Sequence, residues 1–331
     1  MASTTVSTPR EGVSGRLRRL PAVVGPLLIL IALIVVIGIA NPRFLSPVNL
    51  ANLARQSSIL LILALGVSFI IMMGCIDLSV EGVMALSSVV LASLVLSIKQ
   101  PNGLGVLGIL IAIAMGTLMG LVNGVLHTRL RIPSFMVTLG MLSVGLGLAT
   151  WLSGGLDVRV LDPTLRIWTR EFTGPIPNLT FFGLAFFVLA LFLERYTRFG
   201  RYIRAIGGAE DRAKLVGIPV DRYKVYAFTI AGFFYGVAGV LFTGRVGAGT
   251  STVGQGQLFA AITAVVVGGT ALTGGTGGVV QTLIGALIVT VIGNGMIMVG
   301  VNQWIQLAVH GIIITVAVAL TMDRKKIPII K

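Results

Sequence analysis

Residues 194–224 read ERYTRFGRYIRAIGGAEDRAKLVGIPVDRYK, a charged island between two uncharged apolar runs, 177–193 and 225–243. Gly207-Gly208 interrupts a first helical stretch, and Ala209–Val216 reads as a helix of two turns. Glu210 and Asp211 open it and Arg212 and Lys214 follow, the order that the helix dipole favours. Gly217 suits a C-terminal cap, Pro219 prevents continuation, and Asp221 is placed to N-cap the next helix. A helix this short does not hold in water alone, and it mixes Ala213, Leu215 and Val216 with cations. The segment needs a partner surface; a basic, lipid-anchoring loop would satisfy the same physics.

Outward from the island the chain is apolar. Its 331 residues are 55% hydrophobic and 11% charged, with a mean hydropathy of +0.99. A soluble domain carries about 25% charged residues, so a soluble enzyme is excluded. One helical span takes about 20 residues. Ten candidate spans fit: 21–40, 58–74, 82–98, 104–126, 134–153, 177–193, 225–243, 258–273, 278–299 and 303–322. Ser46-Pro47 suits the cap and first turn of a further short amphipathic helix through Gln56, lying in the membrane interface. The expected fold is all-α: one polytopic transmembrane domain, 21–322, between tails 1–20 and 323–331.

Ten spans put both termini on one side. With both in the cytoplasm, 18 of the 25 Lys and Arg fall inside, four in each tail, two in 127–133 and eight in 194–224. That satisfies the positive-inside rule. It also explains the net charge of +14 as an orientation signal beside anionic membrane lipid, not a nucleic-acid surface. One cysteine, Cys75, and two histidines, His127 and His310, leave no disulfide framework and no Cys- or His-rich metal site. The segment 268–278, GGTALTGGTGG, lacks Gly-Lys-Ser/Thr and is not a phosphate loop. Neither a nucleophile elbow nor a zincin or kinase pattern is present. No catalytic residue, cofactor or metal is expected.

Two segments match across the chain: Gly120-Leu121-Val122-Asn123-Gly124 in the fourth span and Gly293-Asn294-Gly295 in the ninth. Spans five apart cross in opposite directions, so a duplication here is an inverted five-helix repeat, the arrangement that suits alternating access. Gly116-x3-Gly120-x3-Gly124, Gly232-x3-Gly236 and Gly239 predict close helix contacts. Charges at membrane depth each need a reason. Asp77 and Glu81 share one face if their segment is helical, as a gate or hinge bonding a broken helix. Asn123, Asn294 and Asn302 can bond backbone or solute hydroxyls, Phe259 and Trp304 can stack on a ring, and His310 can bond a carbonyl across the bundle.

Gly200–Gly208 followed by Ala213-x-Leu215-x-Gly217-Ile218-Pro219-Val220 resembles the coupling-helix region of ABC permeases for simple sugars, the ribose, xylose and arabinose type. Ile76-Asp77-Leu78-Ser79-Val80, Gly254-x-Gly256 and Val267-Gly268-Gly269-Thr270-x-Leu272-x-Gly274-Gly275 resemble further motifs of that family, and the resemblance covers about 45–322. It implies a permease subunit moving a monosaccharide or polyol across the bacterial inner membrane. It implies a second permease subunit, as a homodimer or a related pair, and a periplasmic sugar-binding protein. It also implies cytoplasmic ATPase subunits docked on Ala209, Glu210, Asp211, Arg212, Ala213, Leu215 and Gly217. A gate or path would draw on Asp77, Ser79, Glu81, Asn123, Gln257, Phe259 and Asn294. Two positions depart from the family pattern: Glu81 replaces a glycine and Gln257 an acid, a compensating exchange if the segments meet. Two other readings stay open: an ion-coupled secondary transporter using Asp77 and Glu81, and a permease for branched-chain amino acids or nucleosides.

Overall fold

Each predicted span is represented by a helix. The computed structural model describes residues 23–98 and 102–321; the expected tails 1–20 and 323–331 and the side chain of His310 lie outside the described residues. In chain order the helices are α1 (Val24–Ala40), α2 (Pro47–Met72), α3 (Val80–Leu94), α4 (Val106–Arg129), α5 (Ser134–Ser153), α6 (Pro163–Arg170), α7 (Asn178–Tyr196), α8 (Arg198–Gly208), α9 (Glu210–Leu215), α10 (Val220–Val246), α11 (Gln257–Val267), α12 (Val279–Met298) and α13 (Gln303–Thr321). By length and composition α2, α4, α5, α7, α10 and α12 can cross a membrane. The apolar helices α3 and α11 are shorter, at 15 and 11 residues.

Four local expectations are corrected. The stretch 46–56 is not a separate interface helix. Ser46 caps it, its Oγ accepting from Asn49 N at 3.4 Å, and no breaker separates it from the apolar run, so α2 continues for 26 residues. Asp77 is not helical, because the chain stays non-helical from Cys75 to Ser79 and α3 starts at Val80. The eighth span ends at Val267, where Gly268-Gly269 turns the chain, Gly269 at φ +106°. Asp221 lies in the first turn of α10 and does not cap it, because the helix begins at Val220, directly after Pro219.

The packing has a two-fold correspondence. Helix α3 packs on α4 and α5, as α11 packs on α12 and α13; α10 packs on α3 and α4, as α2 packs on α11 and α12. The central pair, α2 and α10, pack on each other. Exchanging α2–α5 for α10–α13 thus maps each of these contacts onto another. The repeat covers four helices per half; α1 packs on α12 and α7 on α2, without matching partners. At the α4–α10 contact, backbones meet without side chains between them: a Cβ on Gly116 would lie 2.7 Å from Gly236 Cα, and one on Gly120 2.9 Å from Gly232 Cα. Away from α9, β1 (Val158–Arg159) pairs antiparallel with β4 (Ala248–Gly249), and β2 (Phe172–Thr173) with β3 (Ile176–Pro177).

Candidate functional site

Helix α9 is pinned on one side and bare on the other. Ala213 is buried, while Leu215 is 87% and Val216 76% exposed. Gly217 ends the helix at φ +79°, its N–H donating to the Lys214 carbonyl at 3.0 Å. Glu210 pairs with Lys214 at 2.8 Å and with Lys224 of α10 at 2.9 Å. Burial raises the Glu210 pKa, but the hydrogen bonds and charges of the two lysines outweigh it and hold the carboxyl below the usual Glu value. The same hydrogen bond to Glu210 raises the Lys214 ammonium. Asp211 and Arg212 point outward, exposed. Lys224 had no signature in the sequence, since its partner lies fourteen positions back across a turn.

Just before α9, the end of α8 touches two other segments. Gly275 N donates to the Met72 carbonyl at 2.9 Å, joining the 268–278 loop to the end of α2. A Cβ on Gly275 would fall 2.8 Å from Gly208 Cα. Glu194, at the end of α7, pairs with Arg204 of α8 and accepts from Val279 N, the first residue of α12, at 3.0 Å. Helix α9 therefore connects mechanically to α10 through an ion pair and to the ends of α2 and α12 through this junction.

The predicted path residues do not converge on one cavity. Asp77 Oδ1 accepts from Ser79 N at 2.8 Å and from Ser79 Oγ at 2.6 Å, and Ser79 Oγ accepts from Asn123 Nδ2 at 2.9 Å, all buried. Leu78 N donates to Thr138 Oγ1 at 2.9 Å. The cluster thus wires the non-helical link before α3 to α4 and α5. Tyr235, missed in the sequence because it reads as one more aromatic in an apolar helix, buries its hydroxyl within electrostatic reach of Asp77. Asn294 exchanges two 2.9 Å hydrogen bonds with Asn49 of α2. The two asparagines occupy matching helices but hold different partners. Phe259 is 46% exposed and lines neither of the cavities at Gln257.

Glu81 reaches across the repeat: its Oε1 accepts from Leu258 N, in the first turn of α11, at 3.2 Å. Gln257, the neighbouring residue, lines two adjoining cavities of about 370 and 320 Å³. They meet at Gln257, Ala260, Ile297 and Gln306; Gln255 and Trp304 add to the first, and Gln56, Arg245 and Thr290 to the second. Cavities of this size take small molecules. Each amide offers a donor and an acceptor without a fixed charge, a lining suited to hydroxyl groups, and Arg245 brings a cation to the second cavity alone. The cavities lie at the starts of α2, α11 and α13 and the ends of α10 and α12, where the two halves meet. That is the end of α10 away from α9. No cluster of three His, Cys, Asp or Glu placed to hold a metal occurs among the described residues.

Residues 49–318 match the family described as branched-chain amino acid transport system / permease component. The ribose import permease protein RbsC of Bacillus subtilis is 40% identical over 306 residues, 91% of this chain and 92% of that protein. The RbsC of Escherichia coli is 34% identical, covering 91% and 93%. The galactose/methyl galactoside import permease protein MglC of Escherichia coli is 33% identical, covering 89% and 93%. No solved structure matches the chain.

Proposed function

The chain belongs to the family of branched-chain amino acid transport system / permease components, and from that premise we propose that it is the membrane subunit of an ATP-driven importer for a monosaccharide or related polyol. Its relatives by name import ribose and galactose, and the amide-lined cavities suit a neutral, hydroxylated solute. The single observation that carries the reading is the opposition of two features at the ends of α10: a bare apolar helix tip at one, a polar cavity at the other. Cytoplasmic ATPase subunits grip α9, a periplasmic binding protein delivers solute at the cavity end, and both termini are cytoplasmic. A second permease subunit, the same chain or a close relative, completes the assembly. ATP binding moves α9; the Glu210–Lys224 pair passes the movement to α10, and the glycine junction passes it to α2 and α12. Because α10 and α4 touch backbone to backbone, they move as one body. The body that holds α10 and α4 then rocks against the body that holds α2 and α12.

Reconstitution in proteoliposomes with the ATPase and binding protein tests this. ATP-dependent uptake of labelled ribose or galactose is expected, and Gln257→Leu with Gln306→Leu lowers it about tenfold or more, with ATPase assembly intact. Solute hydroxyls left without their partners at a desolvated site cost about 1–3 kcal/mol each. Uptake by the chain alone on an ion gradient would overturn the reading. ATP-driven uptake of leucine instead of sugar would move it to the amino-acid class.

The Glu81–Leu258 contact gives Glu81 and Gln257 a physical meaning. In this reading a carboxylate belongs at the N-terminus of α11, where it stabilises the helix dipole by about 0.3–2 kcal/mol. This chain supplies it from α3 where the family supplies it at position 257. Glu81→Gly lowers uptake and thermal stability, and adding Gln257→Glu restores both. If Glu81→Gln and Glu81→Gly each leave folding and transport at wild-type levels, the exchange has no function.

A further inference from the structure

Three arginines gather at the cavity end of the helices. Arg55 lies in α2, Arg170 closes α6, and Arg245 lies in the last turn of α10; they line a cavity of about 400 Å³. This cavity adjoins the amide-lined pair through Arg245 and Val246. The fold positions the cations without neutralising them. Arg55 Nη2 donates to the Arg170 carbonyl at 3.0 Å, its guanidinium sits 4.3 Å over the Phe172 ring, and its buried Nε has no hydrogen-bond partner. Arg170 Nε donates to the Gly244 carbonyl at 3.0 Å, and its head packs against Gly247, whose φ of +83° and lack of Cβ make the room. Arg245 is half-buried within electrostatic reach of Arg55. The nearest acid in sequence, Glu171, faces Arg166 at 3.8 Å. Among the described residues no ion pair involves Arg55, Arg170 or Arg245.

Like charges held together repel, so three uncompensated guanidiniums at one rim make a surface that is completed by an anion. We propose that this trio is the docking point for surface carboxylates of the solute-binding protein, an inference that rests on the import reading. Arg170 and Asn52 are exposed and Arg245 also lines the amide cavity, so the trio runs from the protein surface to the edge of that cavity. Guanidinium forks match carboxylates in bidentate geometry. Arg245 and Val246 belong to both cavities, so a partner seated on the trio places its own ligand site beside the amide lining. Such contacts steer association and weaken with salt, which suits a partner that must dock and leave in each cycle.

The test uses the permease–ATPase complex in nanodiscs of phosphatidylcholine and a labelled sugar-binding protein from the permease's own organism. Wild-type affinity falls as salt rises. The double variant Arg55→Gln/Arg170→Gln binds about tenfold or more weakly at low salt, with a flatter salt dependence and unchanged basal ATP hydrolysis. Arg55→Lys/Arg170→Lys recovers part of the loss. Equal affinity of wild type and Gln variant, or a wild-type affinity indifferent to salt, overturns the proposal. A loss confined to discs containing phosphatidylglycerol also overturns it, assigning the trio to lipid phosphate. A wild-type complex that does not bind the protein at all overturns the import reading itself, and the docking proposal with it.

Discussion

Gly120→Val prevents assembly of the helix bundle, whereas Gly147→Val leaves it intact. A Cβ on Gly120 would fall on the Phe228 carbonyl and 2.9 Å from Gly232 Cα, and one on Gly232 would lie 2.8 Å from Gly120 Cα. Both obstacles are backbone, so no rotamer change relieves them. Overpacking against movable side chains costs about 1–3 kcal/mol; here whole helices must separate, and the seam that opens is the one joining α10 of one half to α4 of the other. Against a stability of about 5–15 kcal/mol, several kcal/mol is decisive. Gly147, also in a helix, has nothing within 4 Å of its Cβ position. Size-exclusion chromatography after mild detergent extraction reads the difference: monodisperse protein for Gly147→Val, aggregate or proteolysed material for Gly120→Val. Gly116→Ala, whose methyl meets Gly236 Cα at 2.7 Å, gives folded protein with a lowered Tm. Equal behaviour of the Gly120 and Gly147 variants would show that this close approach does not hold the bundle together.

The glycine contact was legible in the sequence because it rests on spacing alone: residues four apart share a helix face, and glycine there permits backbone approach. The ten apolar runs were legible for the same reason, since length and hydropathy decide them. Boundaries failed where composition changes without a breaker. Residues 46–56 are amphipathic, yet nothing stops the helix begun at Pro47 from running into the apolar stretch. The repeat was visible from Asn123 and Asn294, but its extent was not, because it resides in which helices touch. The candidate site divides the same way. Helix α9 was marked by its acids, bases, Gly217 and Pro219. The amide cavity was not, because Gln56, the Gln255–Gln257 turn and Gln306 come from three separate segments, and all but Gln257 read as ordinary polar residues near a helix end. Glu81 and Gln257 stand between the two cases: their departures were visible, and only the fold brings the Glu81 carboxylate onto the Leu258 N–H.

Leu215→Asp leaves the permease folded and abolishes its association with the ATPase. Leu215 is 87% exposed on a six-residue helix, and Val216 beside it is 76% exposed. Neither side chain supports the permease's own core, so the substitution costs the isolated subunit little. In the proposed complex both are buried. Removing a Leu side chain from such a contact forfeits about 1.5–3 kcal/mol of burial, and an unpaired carboxylate in its place adds a desolvation cost. Together these exceed the about 2 kcal/mol that marks an interface hot spot, so affinity falls about thirtyfold or more. Detergent-extracted Leu215→Asp permease then elutes like wild type, with the same Tm, but neither co-purifies with the ATPase nor supports ATP-driven uptake. Ala213→Asp separates docking from folding. Ala213 is 4% exposed, and its carbonyl accepts from Ile218 N at 3.1 Å. A carboxylate there unseats α9 from the permease itself, lowering Tm as well as assembly. If Leu215→Asp retains wild-type ATPase binding and uptake, α9 is not the motor's handle, and the force that drives transport enters elsewhere.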